Sequence, residues 1–180
     1  NLILMQKTAH RLILLLCSVY LSNHSKAADS TYFFKEANVK LNIPKAVWHL
    51  QPKQEKNGYS IYTFKREPIQ DSLQRSIIPN IAVIIEKVTP TSDVVVYSIY
   101  KRANMNLSVE KMFIHGDGII DFKNAVGYKG SYTDQNSLKH VVYVVHALRG
   151  DKGIQLILDT TSETITQVNK EFLAVLKSFR

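Results

Sequence analysis

The residues best suited to chemistry in this chain are a few histidines, carboxylates and tyrosines in its second half. His115-Gly116-Asp117 sets an imidazole and a carboxylate two positions apart beside a flexible turn, with Asp121 close by. A metal centre needs a third and fourth ligand converging on such a pair, and the spacing supplies none, so a turn aspartate and a surface histidine are expected. His140 and His146 are six apart, which on a strand places them on one face but ~20 Å from each other, too far to share an ion. Gly130-Ser131 is a fragment of a nucleophile elbow without the flanking pattern that strains a serine into attack geometry. Asp117, Asp121, Asp159 and Glu163 would allow paired carboxylates, as would any protein with as many acids. The glycines at 116, 118, 127 and 130 lack the spacing and the following lysine of a phosphate loop. No cofactor and no metal is therefore expected, and the chain reads as non-enzymatic. The stretch with most potential for recognition combines His115, Asp117, Tyr128, Lys129, Tyr132 and Lys139, where aromatic and basic side chains would suit a protein or glycan surface.

These positions depend on the elements around them, and the strongest pattern lies just downstream. Val142, Val144 and His146 alternate with Val141, Tyr143, Val145 and Ala147, as in a buried strand. Arg149 to Gly153 forms a turn into Ile154 to Asp159, giving a hairpin. Thr160, Thr161 or Ser162 can cap a following helix, in which Ile165, Val168, Phe172, Val175 or Leu176, and Phe179 form one apolar stripe that packs on that hairpin.

Upstream, Val39 to Ile43 alternates up to Pro44 and should pair with Tyr59 to Lys65. Trp48 is expected to plug the core beside it. Ile81 to Val88 is apolar enough for a central strand. Pro90-Thr91-Ser92-Asp93 is a helix start, and Val96, Ile99, Tyr100 and Ala103 share one face of the helix predicted over Val94 to Met105, whose last turn carries Lys101 and Arg102. Glu110 to His115 and Ile119 to Phe122 flank the turn Gly116-Asp117-Gly118 as strand and short return, and Gly127 to Thr133 forms a further strand.

Composition narrows the class. The 180 residues suffice for one domain with a full core, expected over 28–180. The formal charge is +8; Lys7, Arg11 and Lys26, with no acid among the first 28 residues, leave 8 − 3 = +5 for the rest. That spread excess is poor support for nucleic acid binding. Lys7 and Arg11, the apolar run Leu12 to Leu21, and Ser25-Lys26-Ala27 fit a secretory leader over 1–27 with Met5 as its start and cleavage before Ala28. Ten apolar residues are too few to span a bilayer, which takes ~20. Contact with the membrane is thus expected only through the leader before cleavage, and a periplasmic or secreted location follows. Cys17, the single cysteine, leaves with the leader, so the mature chain has no thiol chemistry.

The order of these elements resembles the PsbP-like proteins and their α/β/α-sandwich relatives, including the Ran-binding nuclear import factor and small bacterial envelope proteins such as DcrB. The resemblance rests on Val39 to Trp48, a strand running into proline and then tryptophan; on Pro79 to Glu86, where Pro-Asn opens an apolar strand; and on Leu173 to Arg180. Here Lys45, Ala46 and Val47 separate Pro44 from Trp48, where the family commonly has two residues including glycine. The resemblance implies an α+β fold, a mainly antiparallel sheet flanked by helices, and a scaffold that binds an as yet unidentified protein partner, as an assembly or accessory factor of the cell envelope. A small-ligand binder or hydrolase in a cleft near the first helix is the alternative, and association with a bilayer through an uncleaved leader is a third. The weakly patterned stretch from His115 to Lys139 is the expected address of function.

Overall fold

The computed structural model describes residues 29–90 and 92–180; the leader expected at 1–27 lies outside them. In chain order the elements are β1 (Asp29–Phe34), β2 (Val39–Pro44), β3 (Trp48–Leu50), β4 (Gln54–Lys56), β5 (Tyr59–Arg66), β6 (Ile69–Gln70), β7 (Ser76–Ile77), β8 (Asn80–Lys87), α1 (Val94–Ala103), β9 (Ser108–Ile114), β10 (Ala125–Thr133), β11 (Lys139–Arg149), β12 (Lys152–Thr161) and α2 (Ile165–Ser178). The main sheet runs β3-β5-β8-β12-β11-β10-β9, with β4 also on β5. Each of its pairings is antiparallel. The α+β class is as expected, and the layers form an α/β/α sandwich.

Alternation sets the two faces of the sheet. Ile81, Val83 and Ile85 of β8, Ile154, Leu156 and Leu158 of β12, and Tyr143, Val145 and Ala147 of β11 point into one core. The β1–β2 ribbon and α2 cover that core, with Val39, Leu41, Ile43, Val168, Phe172, Val175 and Leu176 all fully buried. Each such side chain contributes ~1.5–3 kcal/mol by leaving water. The stripe read from the sequence is thus the buried face of α2, and β8 is central, between β5 and β12. Trp48 is buried as a plug, its indole N–H donating to Glu171 Oε2 at 2.7 Å. Gly127 is dictated by packing: a Cβ there would lie 2.0 Å from the Phe113 ring.

Three expectations are corrected. β2 pairs with β1, not with Tyr59–Lys65, because Lys35 to Asn38 make a tight turn closed by Asn38 in the left-handed region at φ 51°. Residues 119–122 form no strand; Ile120 and Phe122 are nevertheless buried, and β10 is the return from the turn. The N-cap of α2 is Thr164, with no side-chain bond to the helix amides. Its hydroxyl instead meets those of Thr160 and Thr161 at 2.7 and 3.0 Å.

Candidate functional site

The second face of the sheet is where the sandwich is incomplete. Its strands present Tyr59 and Ile61, Ala82, Ile84 and Glu86, Gln155, Ile157 and Asp159, His140, Val142, Val144 and His146, Tyr128 and Tyr132, and Met112 and Ile114, register by register. Among the described residues the helical cover of this width is a single helix of ten residues. Asp93 caps it, its Oδ1 accepting from the amides of Val95 and Val96 at 2.8 and 3.0 Å.

α1 is fastened by polar groups rather than by an apolar stripe. Tyr97 donates to Glu86 Oε1 at 2.7 Å, and Lys101 Nζ lies 2.7 Å from Glu86 Oε2. The ammonium sits 5.2, 5.5 and 5.8 Å from the ring centroids of Tyr59, Tyr97 and Tyr100, a cage of aromatic faces. The dipole of the helix thus meets a basic last turn, as read from the sequence, and Lys101 has a specific carboxylate partner as well. In the centre, Ser98 Oγ bonds His146 Nδ1 at 2.8 Å and Tyr128 OH at 2.9 Å, with Ser98 and His146 fully buried. His146 Nε2 is buried without a partner among the described residues. Burial, assisted by the charge of Lys101, pulls the imidazole from 6.5 down to about 4.

The consequence is a helix turned inside out. Val96, Ile99 and Tyr100 are 66, 56 and 68 % exposed, and Met112 and Ile114 on β9 are 61 and 48 % exposed on the same side of the sheet. A surface helix normally shows water its polar side.

Beyond the C-terminal end of α1 the chain crosses the sheet again as residues 104–107. Leu107 settles against Gly130, where a Cβ would meet its Cδ1 at 2.8 Å and Ser108 O at 2.5 Å. Under this crossing lies a cavity of about 290 Å³. Met105, Leu107, Val142, Val144 and Ile157 wall it, and Tyr132 and Asp159 line it too. Tyr132 donates to Asp159 Oδ2 at 2.5 Å, His140 Nδ1 is 2.7 Å from Oδ1, and the Tyr132 and His140 rings stack at 4.8 Å. Burial and the bond to Asp159 push the Tyr132 phenol well above its ordinary value. A neighbouring cavity of about 400 Å³ shares Met105 and includes Tyr59, Ile84, Lys101 and Gln155.

The six residues singled out by sequence do not form one site. His115 and Asp117 lie exposed in the β9–β10 turn, where Asp117 Oδ2 accepts from the Ile114 amide at 2.9 Å. Tyr128 is buried beneath α1. Lys129 is on the opposite face, 3.6 Å from Glu110. Tyr132 and Lys139 do meet, along a cavity of about 280 Å³ with Asn106 and Ser108. His115, Asp117, Asp159 and His146 go to three separate places: the turn, the Tyr132 cluster and the Ser98 pair. Sequence reading missed Ser98, Glu86 and the outward Val96, Ile99 and Tyr100. The valine run from 94 to 96 after a cap was the available signal, since such residues are costly in an exposed helix. Among the described residues no group of His, Cys, Asp and Glu could hold a metal ion. Likewise none of their helices is long and apolar enough to cross a membrane.

No protein-family model matches the chain, and no curated protein matches it in sequence. Solved structures do. LpqN of Mycobacterium tuberculosis, described as involved in cell envelope biogenesis, superposes with a TM-score of 0.56 at 16% identity, over 84% of this chain and 89% of LpqN. The chain shares its fold. The Ran-binding protein Mog1p of Saccharomyces cerevisiae aligns with a TM-score of 0.49 at 8% identity, over 86% of this chain and 95% of Mog1p. The α/β/α sandwich that the resemblance implies is the one seen in the order of the elements and the sheet.

Proposed function

We propose that this chain is a protein-binding module of the cell envelope, exported by the leader at 1–27, which acts as an assembly or accessory factor rather than as a catalyst. One domain over 28–180 carries the activity. The observation that supports this is the outward apolar face of α1, continued by Met112 and Ile114 on the same side of the sheet. An apolar centre with a polar rim is the anatomy of a protein interface. Asp93 at the N-terminus of α1, Asp117 beside Ile114 and Arg102 over the Tyr128 ring supply charges of both signs at that rim, the mixed polar border of a protein interface. The link of LpqN to cell envelope biogenesis is in keeping with the location.

A photo-crosslinker placed at Ile99 or Met112 in the exported protein is expected to capture one discrete partner, while the same group at exposed Leu73, away from α1, captures none. The pair V96D/I99D should reduce capture at Met112 at least tenfold without changing the circular dichroism spectrum. Equal labelling from all three positions would defeat the reading. The leader is checked separately: the mass of the exported protein should correspond to an N-terminus at Ala28, and a chain retaining Leu12 to Leu21 would contradict it.

A further inference from the structure

We infer that the cavity under residues 104–107 is a binding site for a small amphipathic amine, whose alkyl body lies along Ile157, Met105 and Leu107, above Val142 and Val144, and whose ammonium group meets Asp159. This site is independent of the partner-binding face of α1.

The walls come first. Ile157, Met105 and Leu107 supply the half-buried walls, over a floor formed by the buried Val142 and Val144. At about 290 Å³ the space is near the lower end of small-ligand sites, typically ~300–1,000 Å³. It suits a single alkyl chain better than a two-chain lipid. An apolar wall alone would accept any hydrocarbon, so the polar end decides the class.

That end carries an acid. Asp159 is 9 % exposed and accepts one hydrogen bond on each oxygen, from Tyr132 and His140. Among the described residues no lysine or arginine pairs with it; its one ion-pair contact is with the imidazole of His140. Asp134 stands on the other side of that ring, its Oδ2 3.5 Å from Nε2. Two carboxylates therefore share one histidine, and each Asp159 oxygen retains a second lone pair. A carboxylate in an apolar recess favours a cation, since the lower dielectric strengthens their attraction. Lys139 lies along the adjoining cavity, beyond Tyr132, so an anionic head is the competing class that the test must include.

The probes are n-octylamine, octanoate and octanol, titrated into the full chain and followed by methyl resonances. Octylamine should bind saturably, shift Val142, Val144 and Ile157, and bind at least tenfold more tightly than octanoate or octanol. D159N should lose that tenfold preference while still binding octanol, and I157W, filling the recess, should abolish all three. Both variants are accepted only with unshifted melting curves; L107W, on the roof, replaces I157W if the strand variant unfolds. Equal binding of octanoate, shifts confined to α1, or no saturable shift would overturn the assignment. Octylamine-competed sedimentation with phosphatidylethanolamine vesicles would overturn it too, by making the ligand a lipid headgroup.

Discussion

Replacing Trp48 by alanine is expected to remove about 3–5 kcal/mol of folding stability. The side chain is 1 % exposed and packs at 6.0 Å between ring centroids on Phe172 of α2, so truncation opens a cavity between sheet and helix. It also removes the N–H that Glu171 accepts. Glu171 keeps its fork to Arg66, at 3.1 Å from Nε and 3.0 Å from Nη2, which is why the carboxylate is not left wholly unpaired. W48F retains most of the packing and loses the donor, and should cost about 2 kcal/mol. Urea unfolding checks both: the midpoint should fall with an unchanged slope. A loss below 1 kcal/mol for W48A would mean that Trp48 does not couple α2 to the sheet.

Stability should also fall as pH drops from 6.5 to 4, through His146. In the folded chain its pKa lies at about 4 because burial opposes the charge; unfolded, it returns to about 6.5. The contribution is whole above 6.5, where both states are neutral. It is lost as pH falls, because the unfolded chain takes up the proton first. At ~1.4 kcal/mol per pH unit the loss approaches about 3 kcal/mol. Glu36, Asp71, Asp134 and Asp151 also have lowered values, so they too lose stability on acidification, but in a lower window. Their contribution is present above the ordinary carboxylate range and lost only below it, so the limb between 6.5 and 4.5 belongs to the histidine. H146Q should flatten it. Direct titration by NMR should show the imidazole neutral at pH 5.5; a midpoint near 6.5 would mean that water reaches the ring.

The parts legible in the sequence are those whose pattern is local. The alternation in β11, the glycine-bounded turn into β12 and the stripe of α2 each settle their own burial, because neighbouring residues carry the period. Trp48 and β8 were legible for the same reason, being strongly apolar for their surroundings. The start of α1 was readable from Asp93, but not its orientation. Val96, Ile99, Tyr100 and Ala103 make a stripe of the kind that usually faces inward, yet inward contact is made by Ser98 to His146 and Lys101 to Glu86, pairs 48 and 15 positions apart. Periodicity cannot see such pairs. The same blindness scattered the predicted site. Tyr128 and Tyr132 do share a face, as expected from spacing, but one is consumed by α1 and the other by Asp159, and neither partner lies near it in the chain.

The β1–β2 ribbon carries one more implication. Its outer strand is closed by the far end of the chain: Asn42 donates to Ser178 Oγ across 136 positions, and Lys40 and Arg180 exchange backbone hydrogen bonds. Contacts of such separation form late, after the loop-closure entropy has been met. During vectorial synthesis the ribbon's apolar side, with Leu41 and Ile43, must therefore wait uncovered for a helix more than a hundred residues downstream. Until α2 emerges, the chain remains an unfinished polymer, open to whatever holdase or translocation machinery engages extended apolar segments.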